Sequence, residues 1–311
     1  MAKTKPGLHK RNAHSSGYDF AALTEHWSDL EKYVITGKHG KRTIHFHDPT
    51  AVKCLNQALL IHHYDLKYWD IPDTFLCPAV PGRADYIHYL ADLLASAKGG
   101  KIPRGKKIRC LDVGTGANLV YPIVGSHTYR WSFVGTDVDD KALDAAQQIL
   151  DQNPNLKSKV SLQKQTNRTS ILRGIMQSGE YFDLMLCNPP FYSSAEEAQI
   201  ENQRKQKNLH GRASSTRNFG GQANELWHPG GEKAFIQQLI EESAETPTQC
   251  YWYTSLVAKE QHLKVLLQVL KKLKCTESKV IPMAQGNKNS RILAWTFLNN
   301  KQRNAWEGAR W

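Results

Sequence analysis

The sequence has no apolar run approaching the roughly 20 residues a membrane-spanning helix needs, no Cys-x-x-Cys pair, and no acidic group over residues 1–17. The first two absences exclude a helical membrane protein and the usual zinc or redox cysteine frameworks. The opening Met1-Ala2-Lys3-Thr4-Lys5-Pro6-Gly7 also lacks the apolar core of a signal peptide, so the expected location is the cytoplasm. The 6 cysteines are scattered, and Cys110 and Cys187 sit inside apolar runs; they read as reduced packing residues. His45-x-His47 and His62-His63 have no carboxylate or cysteine set to complete a ligand geometry, so no metal is expected. Repeats and low-complexity tracts are absent too. Acid is in short supply: 29 Asp and Glu stand against 41 Lys and Arg, a formal charge of +12. That surplus favours a polyanionic partner, although solvated lysines alone also produce it.

What is present centres on Leu184-Met185-Leu186-Cys187-Asn188-Pro189-Pro190-Phe191. An apolar run ending in Asn-Pro-Pro-Phe reads as a buried parallel strand that stops abruptly, because neither proline donates a ladder hydrogen bond and each restricts its predecessor. At the carboxyl edge of an α/β sheet, such a stop is where ligands bind. Chemically it suits a flat base bearing an amine. The exocyclic amine of adenine, cytosine or guanine, or a glutamine amide nitrogen, is a poor nucleophile because its lone pair is delocalised. The Asn188 oxygen and the Pro189 carbonyl can each accept one N–H, orienting the nitrogen and stabilising its growing positive charge, while Pro190 stiffens the turn and Phe191 stacks. The plainer alternative is a strand-to-loop turn.

Upstream, Lys107 to Val113 reads as a strand running into Gly114-Thr115-Gly116-Ala117-Asn118, a Gly-x-Gly turn that lets backbone approach a ligand. A second strand, Trp131 to Thr136, ends in Asp137, about twenty positions later, where a carboxylate meets a ribose diol in doubly wound folds. A nicotinamide fingerprint would want a third glycine where Leu119 stands. That difference, with Asp112 ahead of the loop, favours S-adenosylmethionine. Asp112 then tethers the amino-acid end of the cofactor or fixes the loop, and Asp137 takes the ribose hydroxyls.

Leu-Asp-Val-Gly-Thr-Gly-Ala-Asn (111–118), Thr-Asp-Val-Asp-Asp (136–140) and Cys-Asn-Pro-Pro-Phe (187–191), in that order, resemble a class I amino-methyltransferase. More narrowly the chain resembles the bacterial 23S rRNA adenine N6-methyltransferases of the F type and the related methyltransferases of spliceosomal small nuclear RNA. The likeness extends to His9-Lys10-Arg11-Asn12, to Pro78 through Arg83, and to Gly230-Gly231-Glu232. It implies an α/β class I S-adenosylmethionine-dependent fold, a Rossmann-like, seven-stranded, doubly wound and mostly parallel sheet with an N-terminal helical extension. It implies a cofactor site of Arg83, Asp112, Gly114, Gly116, Asn118 and Asp137, with Arg83 on the cofactor's carboxylate. Thr166 to Thr169 would meet the cofactor's adenine; which side chain does so is open, and Thr169 is the candidate. Lys10, Arg11 and Asn12 become RNA contacts. The implied partner is 23S rRNA or a large-subunit assembly intermediate, bound by a monomer. Guanine N2, a protein glutamine amide, or RNA binding without catalysis are the rival readings.

Composition divides the chain at the linker Gly99 to Gly105, giving a basic arm and helical extension over 1–100 and a methyltransferase domain over 101–311. Residues 1–17 are expected to lack order until an anion arrives. Helices are predicted over Asp19–Tyr33, Asp48–His62, Ala84–Ala97, Lys141–Gln152, Ile171–Gln177, Glu232–Ser243 and Lys259–Leu273, with strands at Val160–Lys164, Cys250–Val257, Lys279–Pro282 and Arg291–Leu298. The polar stretch 193–231 shows no periodicity and carries Arg204, Lys205, Arg212 and Arg217. Following the catalytic turn directly, it reads as a basic lid, or else as an insertion without structure.

Overall fold

A computed structural model describes residues 7–37, 40–194, 196–197, 200, 227–285 and 288–311. Arg204, Lys205, Arg212 and Arg217 lie outside the described residues.

The two signature strands lie side by side because both are apolar on both faces. Strand β3 (Arg109–Val113) pairs in parallel with β6 (Phe182–Cys187), with Val113 opposite Cys187, and with β4 (Ser132–Asp137), with Val113 opposite Thr136. The glycine turn, Asp137 and Asn188 therefore leave the sheet at the same edge. Strand alternation divides the side chains: Leu184 and Leu186 join one hydrophobic layer, Met185 and Cys187 the other. All four are buried, and full burial of such a side chain stabilises by about 2 kcal/mol. With β5 (Val160–Lys164), β7 (Cys250–Val257), β8 (Glu277–Gln285) and β9 (Lys288–Thr296), the order is β5-β4-β3-β6-β7-β9-β8. Only β9 runs against the rest. This is the doubly wound, class I methyltransferase sheet expected from the sequence. A separate pair, β1 (Val34–Thr36) and β2 (Arg42–Ile44), sits in the N-terminal part.

On one face pack α2 (Pro49–Tyr64), α3 (Val80–Ala97), α4 (Val120–Thr128) and α5 (Asp140–Gln152); on the other, α7 (Gly231–Ser243) and α8 (Gln261–Lys272). Helix α1 (Phe20–His26) precedes them in the chain, the short α6 (Pro154–Lys157) follows α5, and α9 (Asn300–Arg310) ends the order. Asp48 caps α2 through Thr50 N, with Pro49 at the first helical position. One hydrophobic cluster runs across residue 100, joining Tyr64 and Leu90 to Trp131 and Leu184.

Four expectations are corrected. The helix expected over Asp19–Tyr33 breaks at Trp27, whose φ of −141° leaves the helical region, and continues as a 3₁₀ turn over Ser28–Tyr33. Helix α3 starts at Val80 rather than Ala84, because Pro81 falls in the first turn, where its missing N–H costs nothing. Ile171–Gln177 is a run of turns, not a helix. Its backbone N–H groups go to a buried carboxylate, with Ile171, Leu172 and Arg173 all donating to Glu242 Oε2. Residues 7–17 are tied into the fold by hydrogen bonds within the chain. The Asn12 amide donates to Pro81 O and Asp85, His9 N donates to Asp85, and Arg11 donates to Tyr129 OH, His88 O and Asp92. Their polar groups are tied to α3, which is why composition misjudged them.

Candidate active site

The three strand ends open onto a cavity of about 280 Å³ whose walls include Arg83, Gly114, Gly116, Asn118, Asp137, Asn188 and Pro190. Seven sequence-predicted residues, drawn from four separated stretches, meet there. The glycine turn needs its glycines for conformation: Gly114 and Gly116 have φ of +71° and +63°, and a Cβ on Gly114 would touch nothing within 4 Å. Gly114 N and Thr115 N both donate to Thr136 O at 2.9 Å, and Gly116 N donates to Asp137 Oδ2 at 3.0 Å, so the loop is sewn to the end of β4. Leu119, where a dinucleotide site would carry glycine, takes the left-handed conformation all the same, at φ +52°. Such a backbone costs a non-glycine residue about 1–2 kcal/mol, which full burial of the leucine side chain offsets. Next to it, Asn118 Oδ1 accepts from Val120 N and starts α4.

Electrostatics mark the same place. Asp112 lies fully buried under the turn; Oδ2 accepts from Thr115 Oγ1 at 2.7 Å and Oδ1 has no partner. Burial, only partly offset by the Thr115 bond, pushes its carboxyl up to about 7. Burial also raises Asp137, against the N–H bonds from Asp139 and Gly116. Arg83 reaches the cavity with its guanidinium 5.8 Å from the Tyr121 ring and Nη1 donating to Tyr121 OH at 2.9 Å. Asn188 Oδ1 is buried and unpartnered, as are Trp227 Nε1 and His228 Nδ1 on the same cavity. Burying polar atoms unbonded is costly, so their concentration on one wall points to a polar ligand that bonds them.

Four predicted residues stand differently: Asp112 lies beneath the turn and is not part of the cavity lining. Thr169 does not reach the cavity: its hydroxyl donates to Asn167 Oδ1, and Arg168, Ser170 and Ile171 line the wall instead. Pro189 is buried behind the lining and Phe191 is half-buried outside it. Among the described residues no group of three His, Cys, Asp or Glu could hold a metal, and no helix is long and apolar enough to cross a membrane.

A family described as RNA methyltransferase matches residues 2–299 of this chain. The chain belongs to this RNA methyltransferase family. As a member it is an S-adenosylmethionine-type class I fold put to enzymatic use on RNA, which agrees with the cavity. Similar curated proteins include the ribosomal RNA large subunit methyltransferase F of Dechloromonas aromatica (strain RCB), 47% identical over 98% of this chain and 91% of the relative. The protein of that name from Flavobacterium psychrophilum is 48% identical over 97% of both. Among solved structures, the human Mettl16 catalytic domain in complex with a MAT2A 3'UTR hairpin aligns with a TM-score of 0.79 at 30% identity, covering 95% of this chain and 97% of that one. The N-terminal domain of human METTL16 in complex with SAH aligns at 0.74 and 26%, covering 94% and 100%.

Sequence reasoning missed the wall contributed from beyond β6. Tyr192 and Trp227 form a parallel bridge and His228 N donates to Tyr192 O at 3.0 Å, so the chain returns to the turn it left. That brings Trp227, His228, Phe235 and Gln238 to the cavity. The signal was weak: nothing in the sequence fixed where the loop closes. Tyr86 was also invisible. Its hydroxyl meets Thr254 Oγ1, which donates to Met185 O, bracing the strand that carries Asn188.

Proposed function

We propose that this protein transfers a methyl group from S-adenosylmethionine to the N6 amine of one adenine in 23S ribosomal RNA, acting as a cytoplasmic monomer on the RNA or on a large-subunit assembly intermediate. The observation that carries the reading is the buried, unpartnered Asn188 oxygen at the end of β6, beside a glycine turn and an acidic strand end on one cavity. The names of the similar F-type proteins support the rRNA substrate.

The residues present fit the cofactor. Arg83 would take its carboxylate, Asp137 its ribose diol and the Gly114–Gly116 turn its chain, while Asp112, beneath that lining, would fix the turn through Thr115 and offer its unpartnered oxygen to the cofactor's amino-acid end. When bound, S-adenosylmethionine supplies an electrophilic methyl group on a sulfonium sulfur. Asn188 Oδ1 accepts one N–H of the amine and the Pro189 carbonyl the other, aligning the nitrogen lone pair and stabilising the positive charge that develops as the N–C bond forms. No base is required, since the extra proton becomes acidic on transfer and leaves to water. Phe191 stacks on the base, which must be unpaired or flipped out for N6 to enter. Lys10, Arg204, Lys205, Arg212 and Arg217 contact the RNA backbone, and Arg11 and Asn12 hold the arm in place for them.

Nucleoside mass spectrometry of ribosomal RNA from cells with and without the gene tests the reading. Loss of N6-methyladenosine at one 23S position is expected. Loss of N2-methylguanosine, or an unchanged RNA profile with a lost methyl mark on a protein glutamine, would replace it.

A further inference from the structure

At the opposite edge of the sheet, a second cavity of about 250 Å³ lies under the starts of β4 and β5. Three lysines line it, Lys67, Lys106 and Lys159, against a single carboxylate, Asp65. Among the described residues none of the three lysines pairs with an acidic group. Their backbones are fixed. Lys106 O accepts from Ser132 Oγ at 2.9 Å, Lys159 O accepts from Phe133 N at 2.8 Å, and Lys67 N donates to Asn153 Oδ1 at 2.7 Å. Lys159 Nζ also reaches the Ser126 carbonyl at 3.4 Å. The wall carries a second, independent mark. Ser126 is 1% exposed and its hydroxyl has no partner. A serine in a helix ordinarily returns its hydroxyl to a carbonyl one turn back, so an unbonded one on a cationic cavity wall is a donor without an acceptor.

We infer that this cavity is a phosphate-binding exosite, formed by Lys67, Lys106, Lys159 and the Ser126 hydroxyl, that holds a backbone phosphate of the RNA substrate. The chemistry fits a phosphate: several cations supply the charge and a buried hydroxyl a directional bond. Strand β4 runs the full way between the two sites, six residues or roughly 17 Å at ~3.3 Å per residue. A substrate engaging both must be folded or wrap the sheet edge, which selects structured RNA over a short strand. The inference rests on RNA being the substrate, but it is read from binding without turnover, so the two fail separately.

RNA binding is measured across a salt series for the wild-type chain, Lys67→Gln/Lys106→Gln and Ser126→Ala, with S-adenosylmethionine affinity and melting temperature as folding controls. The lysine double variant should bind structured RNA more weakly whatever its sequence, with the slope of log affinity against log salt reduced by about one. Ser126→Ala should weaken RNA binding while the RNA-free protein melts no lower, since the lost hydroxyl had no partner. Unchanged affinity and slope in both variants would overturn the proposal. Inorganic phosphate titrated into the protein separates the sources. Phosphate binding that the lysine variant abolishes, with RNA affinity unaffected, would assign the cavity to a free anion and also overturn it. Wild-type protein that methylates no RNA yet shows the lysine-dependent slope would sink the proposed reaction and leave the exosite standing.

Discussion

Two aspartates on neighbouring strands, both fully buried, are treated in opposite ways. Asp183, at the start of β6, accepts five donors: Arg109 N, Trp306 Nε1, Trp311 Nε1 and both Nε and Nη2 of Arg310. Asp112, near the end of β3, accepts one, from Thr115, and leaves an oxygen bare. Saturation marks the structural carboxylate, which clamps α9 to the sheet. Deficit is what a ligand site leaves, and under the proposed function Asp112 is the carboxylate held for the cofactor. The same contrast separates the N-terminal arm, where Arg11 and Asn12 side chains are hydrogen-bonded to α3, from the cavity wall of Asn188, Trp227 and His228.

The contrast breaks most visibly at Asp183. Asp183→Ala takes the carboxylate partner from Arg310 and from two indole N–H groups, and should cost about 3–5 kcal/mol of stability by chemical denaturation. Asn188→Ala should do the reverse: a fall in kcat of about 10²–10³-fold, the usual cost of losing one positioned polar partner of the transition state, with a denaturation midpoint close to wild type. A large stability loss there would make Asn188 a structural residue.

Asp112 sharpens the comparison through pH. Its folded carboxyl titrates at about 7 against a reference of 3.8, so the folded chain holds the proton more tightly. The contribution is favourable at low pH and is lost as pH rises through about 7. The stability gap between wild type and Asp112→Asn, which cannot ionise, should therefore shift in the variant's favour between pH 4 and 7 and level off above. A gap independent of pH would place the carboxyl outside the buried site. The smallest effect belongs to the arm. Arg11→Ala should cost about 1–2 kcal/mol of stability with its hydrogen bonds. Lys10→Ala, on an exposed neighbour, should leave stability alone and reduce the salt slope of RNA binding by about one.

Much of this was legible in sequence because local chemistry dictates it. The Val160–Lys164 and Cys250–Val257 strands fall where apolar and β-branched residues put them, and Asn188-Pro189-Pro190 ends its strand because proline cannot continue one. What escaped was set by long-range pairing. Asp183 looked like an ordinary strand residue because its partners come from α9, more than a hundred residues later. The arm looked unstructured because Arg11 and Asn12 are polar, and only the fold shows that Asp85 and Asp92 of α3 await them. Ile171–Gln177 looked helical because composition cannot reveal that Glu242 captures its N–H groups.

Under the proposed function the bare Asn188 oxygen orients an adenine amine. Labelled methyl transfer from S-adenosylmethionine to 23S rRNA taken from cells lacking the gene, followed by digestion to nucleosides, tests it directly. The account predicts label in N6-methyladenosine with the wild-type enzyme and almost none with a folded Asn188→Ala variant. Label in another nucleoside, or equal labelling by both proteins, would contradict it.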